Sequence, residues 1–272
     1  MVEFTHDSIK FLEEGSLFHR EIKLPEADKV VSILSGGMDS SIMTILLVKY
    51  YGAENVYPIS FDYNQKQVVE IDRAKALCKR IRTAEHKTFD LSVLGEIAKP
   101  MCANIAGTDI EMPTIKDVLG DPQPVTYVPF RNMILLTLAM SYAETIDSND
   151  VFTGLQVHDE YGYWDTTGAF VDSLNAVAKQ NRTHCLDIHA PFLQLSKIDE
   201  LKICEGMDAI SLLKHSLTCY NPKDGKSCGT CPSCSERINA FMKLNLVDPI
   251  DYQIEIPWRQ TAFDFQNNWS NV

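Results

Sequence analysis

VVSILSGGMDSSIMTILLVKY, Val30 to Tyr50, begins as a β-branched run, breaks at Ser35-Gly36-Gly37 and resumes as a strongly apolar segment. Val30, Val31 and Ile33 suit a buried strand, and Ile42 through Val48 suit a helix buried on most sides. The join must be a tight turn that opens a helix. Adjacent glycines permit positive φ and a close backbone approach. Asp39 and Ser40 are good residues for a helix N-terminus. Strand, glycine turn and helix N-terminus together form a place for an anion, most simply phosphate.

Outward from that turn, apolar strands alternate with amphipathic helices. The first strand is expected at 29–34 and its helix at 39–51, then a strand at 56–61 ending in Asp62, Tyr63, Asn64 and Gln65. Val68, Ile71, Ala74, Cys78 and Ile81 recur at helical spacing and predict a helix over 66–82. Further strands are expected at 87–91, 151–154 and 188–193, and helices at 133–146, 167–179 and after the capping sequence Ser196-x-x-Asp199. Residues 95–127 read as a long irregular excursion, and 1–28 as an extension of undefined structure. Such alternation predicts an α/β fold, a parallel sheet with helices on both faces. Ligands on such sheets bind at the C-terminal ends of the strands, where the polar insertions of this chain fall.

The bulk composition narrows the function. A chain of 272 residues with 45% hydrophobic and 23% charged content is ordinary for a globular protein. A net charge of −12 argues against a broad grip on nucleic acid. The N-terminal sequence MVEFTHDSIKFLEEG is too charged for the apolar core of a signal peptide, and no apolar run reaches membrane-spanning length. The expectation is a soluble, cytoplasmic protein acting on a small molecule.

Which phosphate the turn serves follows by exclusion. Gly225-Lys226-Ser227 imitates the end of a Walker A loop, but Tyr220 stands where its first glycine belongs. G-x-G-x-x-G does not fit SGGMDSS, and LSGGM without a Walker A elsewhere is no transport ATPase. Glycine-turn amides with the hydroxyls of Ser35, Ser40 and Ser41 can surround a diphosphate. Asp39 would repel those phosphates unless a cation lay between them, which implies Mg²⁺. S-G-G-x-D-S after a first strand resembles the pyrophosphate loop of the ATP pyrophosphatases. That resemblance gives Lys197, at the start of a helix in LSKIDEL, a phosphate-contacting role.

Eight cysteines need a separate reason. Cys219, Cys228, Cys231 and Cys234 have the spacing C-x8-C-x2-C-x2-C, with Gly229 and Pro232 at the tight turns between them. Four thiolates so spaced suit a structural Zn²⁺, with an iron–sulfur cluster as the competing reading.

Loop and cluster together resemble the 7-cyano-7-deazaguanine (preQ0) synthases. The likeness runs over roughly 29–245 through SGGMDS, FDYNQ, VPFRN, TGLQVHDEYGYWD, PFLQLSKIDE and TCYN followed by C-x2-C-x2-C. It implies an adenine nucleotide α-hydrolase-like domain over 29–205, a zinc module over 206–245, extensions at 1–28 and 246–272, and a homodimer. It also implies conversion of 7-carboxy-7-deazaguanine and ammonia to the nitrile through adenylated intermediates, with ATP, Mg²⁺ and Zn²⁺ bound. By position, Ser35, Gly36, Gly37, Asp39, Ser40, Ser41 and Lys197 would hold pyrophosphate and Mg²⁺. Asp39, Arg131 and Lys197 would act in catalysis. Tyr63, Asn64, Gln65, Arg131, Asn132, Asp159, Gly162, Tyr163 and Asp165 would line the substrate site.

The chain also departs from that family. Where many members read DxSGYPDCR it reads DEYGYWDTT, placing Trp164 for proline and Thr167 for arginine, and VPFRN puts Phe130 where glycine is commoner. A product that stops at the amide and a tRNA thiolase are the competing enzyme readings. A zinc-ribbon protein without catalysis is the competing reading outside enzymes.

Overall fold

The computed structural model describes residues 2–12, 20–113, 124–157 and 163–258. The N-terminal extension, whose structure the sequence leaves undefined, builds a sheet. Strands β1 (Val2–Phe4), β2 (Ser8–Phe11) and β3 (Arg20–Lys23) pair antiparallel, with Val2 opposite Phe11 and Ile9 opposite Ile22. Alternation in the short strand SIKF sends Ile9 and Phe11 inward, where both join the main core.

The rest of the chain is β4 (Val30–Ile33), α1 (Met38–Tyr51), β5 (Val56–Asp62), α2 (Val69–Ile81), β6 (Lys87–Asp90), α3 (Ser92–Ala98), α4 (Arg131–Thr145), β7 (Asp150–Phe152), α5 (Gly168–Ala178), β8 (Asp187–His189), α6 (Lys197–Gly206) and α7 (Pro232–Lys243). The five strands from β4 onward are all parallel, in the order β6-β5-β4-β7-β8. Both faces of the sheet are covered, which is why its strands read as continuous apolar runs. Val30 and Val56 face one core with α1, α2 and α6, whereas Val31, Ile59 and Val151 face the other with α4 and α5.

Two boundaries differ from expectation for a visible reason. The helix predicted from Lys66 starts at Val69, because 65–70 close as tight turns first, Val68 N donating to Gln65 O at 3.2 Å and Glu70 N to Gln67 O at 2.8 Å. Helix α3 lies partly inside the stretch expected to be irregular. Asp90 Oδ1 accepts from Ser92 N at 2.8 Å, and Leu94 and Ala98 are buried beneath it. Among the described residues no helix is long and apolar enough to cross a membrane.

The N-terminal sheet is attached through polar contacts as well. The Tyr50 hydroxyl donates to Ser8 O at 2.6 Å, and Arg20 grips both oxygens of Asp199 at 2.9 and 3.0 Å. Asp199 closes the capping box of α6 with Ser196. Burial pushes its carboxyl upward, but Arg20 and Ser196 more than offset this and hold it below the ordinary range. A lowered folded-state pKa contributes stability above the unfolded value, and that stability disappears as pH falls through the folded one. Arg20→Ala is therefore expected to lower the melting temperature at neutral pH by the equivalent of about 1 kcal/mol or less, since Arg20 is partly exposed. The gap from wild type should close below about pH 4; a gap that persists in acid would show that the loss is apolar.

Candidate functional site

Strand order reverses between β4 and β7, which opens a crevice at their C-terminal ends. A cavity of ≈ 320 Å³ fills that position. Its walls come from the turn after β4, the segments after β5 and β7, the N-termini of α4 and α6, and the peptide Thr218–Tyr220.

The glycine turn has a steric cause. Gly36 has φ +94°, and a Cβ there would lie 2.0 Å from Glu70 O, so only glycine fits. Ser35 Oγ and Ser40 Oγ lie 3.0 Å apart, and Gly37 N donates to Ser35 Oγ at 3.2 Å. Gly37 caps α1 without a side chain, and the cap is supplied from far along the chain, Thr218 Oγ1 accepting from Met38 N at 3.0 Å. The positive end of α1 therefore opens onto the cavity with Asp39 in its first turn.

Asp39 Oδ2 meets Lys197 Nζ at 2.5 Å. Burial works against the Lys197 ammonium, but the charges of Asp39 and Glu200 outweigh it and keep the lysine protonated. Glu70 and Glu236 stand on the same wall. Desolvation pushes Glu70 well above the usual carboxylate range.

Across the cavity, Arg131 begins α4 after Phe130, whose φ of +53° turns the chain sharply into the helix. Burial opposes its charge, and the Tyr63 phenol and Asp165 carboxylate restore it. Asp165 is fully buried behind this wall. Its Oδ2 accepts from Asn132 N at 3.2 Å, and its carbonyl accepts from Asn132 Nδ2 at 3.1 Å. Tyr163 stacks on Tyr127 at 5.8 Å and shares a 2.8 Å hydrogen bond with Thr126.

Ser35, Gly37, Asp39, Ser40, Tyr63, Gln65, Arg131, Asn132, Tyr163 and Lys197, brought together from five segments, line the cavity. Gln65 is bound at both ends to backbone, Oε1 to Tyr63 N and Nε2 to Phe61 O, so it fixes the turn after β5. Gly36 and Asn64 serve the backbone rather than the wall. Gly36 O accepts from Leu217 N at 2.8 Å, and Asn64, with φ +60°, accepts from Ala106 N. Ser41 is fully buried on the core side of α1, away from the cavity. Asp159 and Gly162 lie outside the described residues. Thr218, Gln156, Glu70, Glu200 and Glu236 also belong to this region; Thr218, Gln156 and Glu200 fall inside strings that carry the family likeness, whereas Glu70 and Glu236 have no local signal.

The cysteine sulfurs of residues 219, 228, 231 and 234 all lie within 4.8 Å of one another. Cys228 Sγ and Cys234 Sγ are 3.8 Å apart, far too long for a disulfide. Backbone N–H groups point at the sulfurs: Cys228 N and Asn221 N at Cys219, Cys231 N and Thr230 N at Cys228, and Tyr220 N at Cys231. Such donors stabilise thiolates and orient them as ligands, so the group is a candidate metal centre.

Comparison with known proteins agrees with this architecture. The chain is 35% identical over 231 residues to 7-cyano-7-deazaguanine synthase 1 of Colwellia psychrerythraea, covering 84% of this chain and 100% of that protein. It is 37% identical over 235 residues to the 7-cyano-7-deazaguanine synthase of Clostridium kluyveri, covering 84% and 99%. Residues 29–245 match the family described as queuosine biosynthesis protein QueC. With the glycine turn, the Asp39–Lys197 pair and the four-cysteine group all inside the matched span, the chain belongs to the QueC family.

Proposed function

We propose that this protein converts 7-carboxy-7-deazaguanine and ammonia to 7-cyano-7-deazaguanine with ATP, releasing AMP and pyrophosphate. The observation that carries the reading is the Asp39–Lys197 pair at the open N-terminus of α1, facing Arg131 across one cavity. A carboxylate oxygen of the substrate attacks the α-phosphorus and pyrophosphate leaves. Ammonia then attacks the acyl carbon, the C–O bond to AMP breaks, and the amide forms. The amide oxygen displaces pyrophosphate from a second ATP, and loss of AMP with both protons from nitrogen gives the nitrile.

For these steps the chain supplies position and charge rather than a nucleophile. The α1 terminus, Ser35, Ser40 and Lys197 suit the leaving pyrophosphate. Arg131, kept charged by Tyr63 and Asp165, suits the reacting acid group. Thr167, where many family members carry arginine, is occupied as the cap of α5, its Oγ1 accepting from Phe170 N at 3.2 Å. Arg131 therefore remains to pair with the substrate carboxylate.

Asp39, Glu70 and Glu236 on the wall against Lys197 and Arg131 leave it unable to neutralise a triphosphate. Oxygen ligands of this kind fit Mg²⁺, which when bound would screen the phosphate charge. The cysteine group fits zinc, because a tetrahedron with Zn–S of about 2.3 Å has edges of about 3.8 Å, near the Cys228–Cys234 separation. All four ligands being protein, that ion would be structural. By the family likeness we also propose a homodimer, which light scattering would size, and a cytoplasmic location.

Incubation with ATP, Mg²⁺, ammonia and 7-carboxy-7-deazaguanine is expected to yield AMP, pyrophosphate and a product with the mass of the nitrile. The amide mass would identify an enzyme that stops after the first adenylation. Release of ADP, or AMP formation that ignores the deazaguanine, would overturn the assignment.

A further inference from the structure

Lys197 and Glu200 stand one turn apart at the start of α6, on the face turned toward Asp39. Glu200 is completely buried. Gln156 Nε2 donates to Glu200 Oε1 at 2.7 Å and is itself fixed by Leu195 O at 3.0 Å, so the carboxyl is held from behind. No donor reaches the other oxygen, Oε2, among the described residues. The main charge bearing on Glu200 besides Lys197 is the Asp39 carboxyl; burial first, and then that charge, raises the Glu200 pKa. Lys197 is committed to Asp39 at 2.5 Å. A fully buried carboxyl with one oxygen lacking any donor, beside a lysine already bound to a second carboxylate, needs either a proton or a cation.

We propose that Glu200 is the second carboxylate ligand, beside Asp39, of a divalent-cation site, and that Gln156 positions it. The inference rests on the nucleotide reading of the cavity. Asp39 comes from the first turn of α1 and Glu200 from the first turn of α6, so the cation would tie these two packed helices together. Hard oxygen donors and a neighbouring phosphate binder suit Mg²⁺ or Mn²⁺.

The test is Mn²⁺ binding to the metal-replete protein, read by electron paramagnetic resonance without nucleotide or substrate. Wild type is expected to take up one Mn²⁺ more tightly than Glu200→Gln by tenfold or more, with Glu200→Asp recovering part of the loss. Gln156→Leu is expected to fall between them. Glutamine is isosteric with a protonated glutamic acid, so unchanged Mn²⁺ affinity in Glu200→Gln would show that a proton, not a cation, satisfies the buried carboxyl. Absence of Mn²⁺ binding by wild type would equally overturn the proposal. Should Glu200→Gln fail to fold, the comparison passes to Glu200→Asp, where unchanged affinity overturns it. If Mn²⁺ binds through Glu200 while the turnover assay yields no AMP, the site stands and the proposed reaction falls.

Discussion

Asp248→Ala is expected to destabilise the protein by about 3–5 kcal/mol, because it strands a buried arginine charge. Arg237 on α7 is 0% exposed. Its Nε and Nη2 donate to the two oxygens of Asp248 at 2.6 and 2.8 Å, and Nη1 donates to Ser216 Oγ at 2.9 Å. The Tyr252 hydroxyl donates to the same carboxylate at 2.7 Å and would lose its acceptor as well. Removing water from the guanidinium disfavours its charge, and Asp248 is what keeps it ionised. Urea titration measures the loss. Replacing both partners, as Arg237→Met with Asp248→Leu, is expected to recover most of it, since the pair and an apolar pair differ little in net stability. A single variant within about 1 kcal/mol of wild type would mean that water reaches the site.

Asp39→Asn is expected to lower kcat by about a hundredfold or more while leaving the melting temperature within a few degrees. Asparagine keeps the shape of the side chain and can still meet Lys197, whose charge retains Glu200 nearby. What it loses is the negative charge that, on the proposed reading, would bind a cation against the phosphates. The split between kcat and the KM for ATP is informative. An effect confined to KM would place Asp39 in ground-state binding, and near-normal turnover would remove it from the reaction.

Much of the fold could be read locally. Val30–Ile33 and the apolar helix after the glycines announce themselves by composition, and the Ser196–Asp199 cap is visible as a pattern. The cysteine group was legible because two-residue spacings leave thiolates little freedom to diverge. The N-terminal sheet was hidden because its strands are three or four residues long and draw stability from α1 and α6 rather than from their own pattern. The site was half legible. Asp39, Arg131 and Lys197 sit in distinctive strings, whereas Glu200 and Gln156, though inside such strings, gain meaning only from each other, 44 residues apart. Asp165 reads as a pocket acid by its neighbours in sequence, and the fold places it behind Arg131 as that residue's buried counter-charge.

The peptide Leu217–Cys219 belongs to two structures at once. Leu217 N and Thr218 Oγ1 hold the glycine turn and the first amide of α1, while the next residue is a cysteine of the clustered group. Oxidation of those thiols to disulfides would pull on this short peptide, which also lines the cavity, and through it on the glycine turn. Activity is then expected to fall on oxidation of the cysteine group and to return with a thiol reductant.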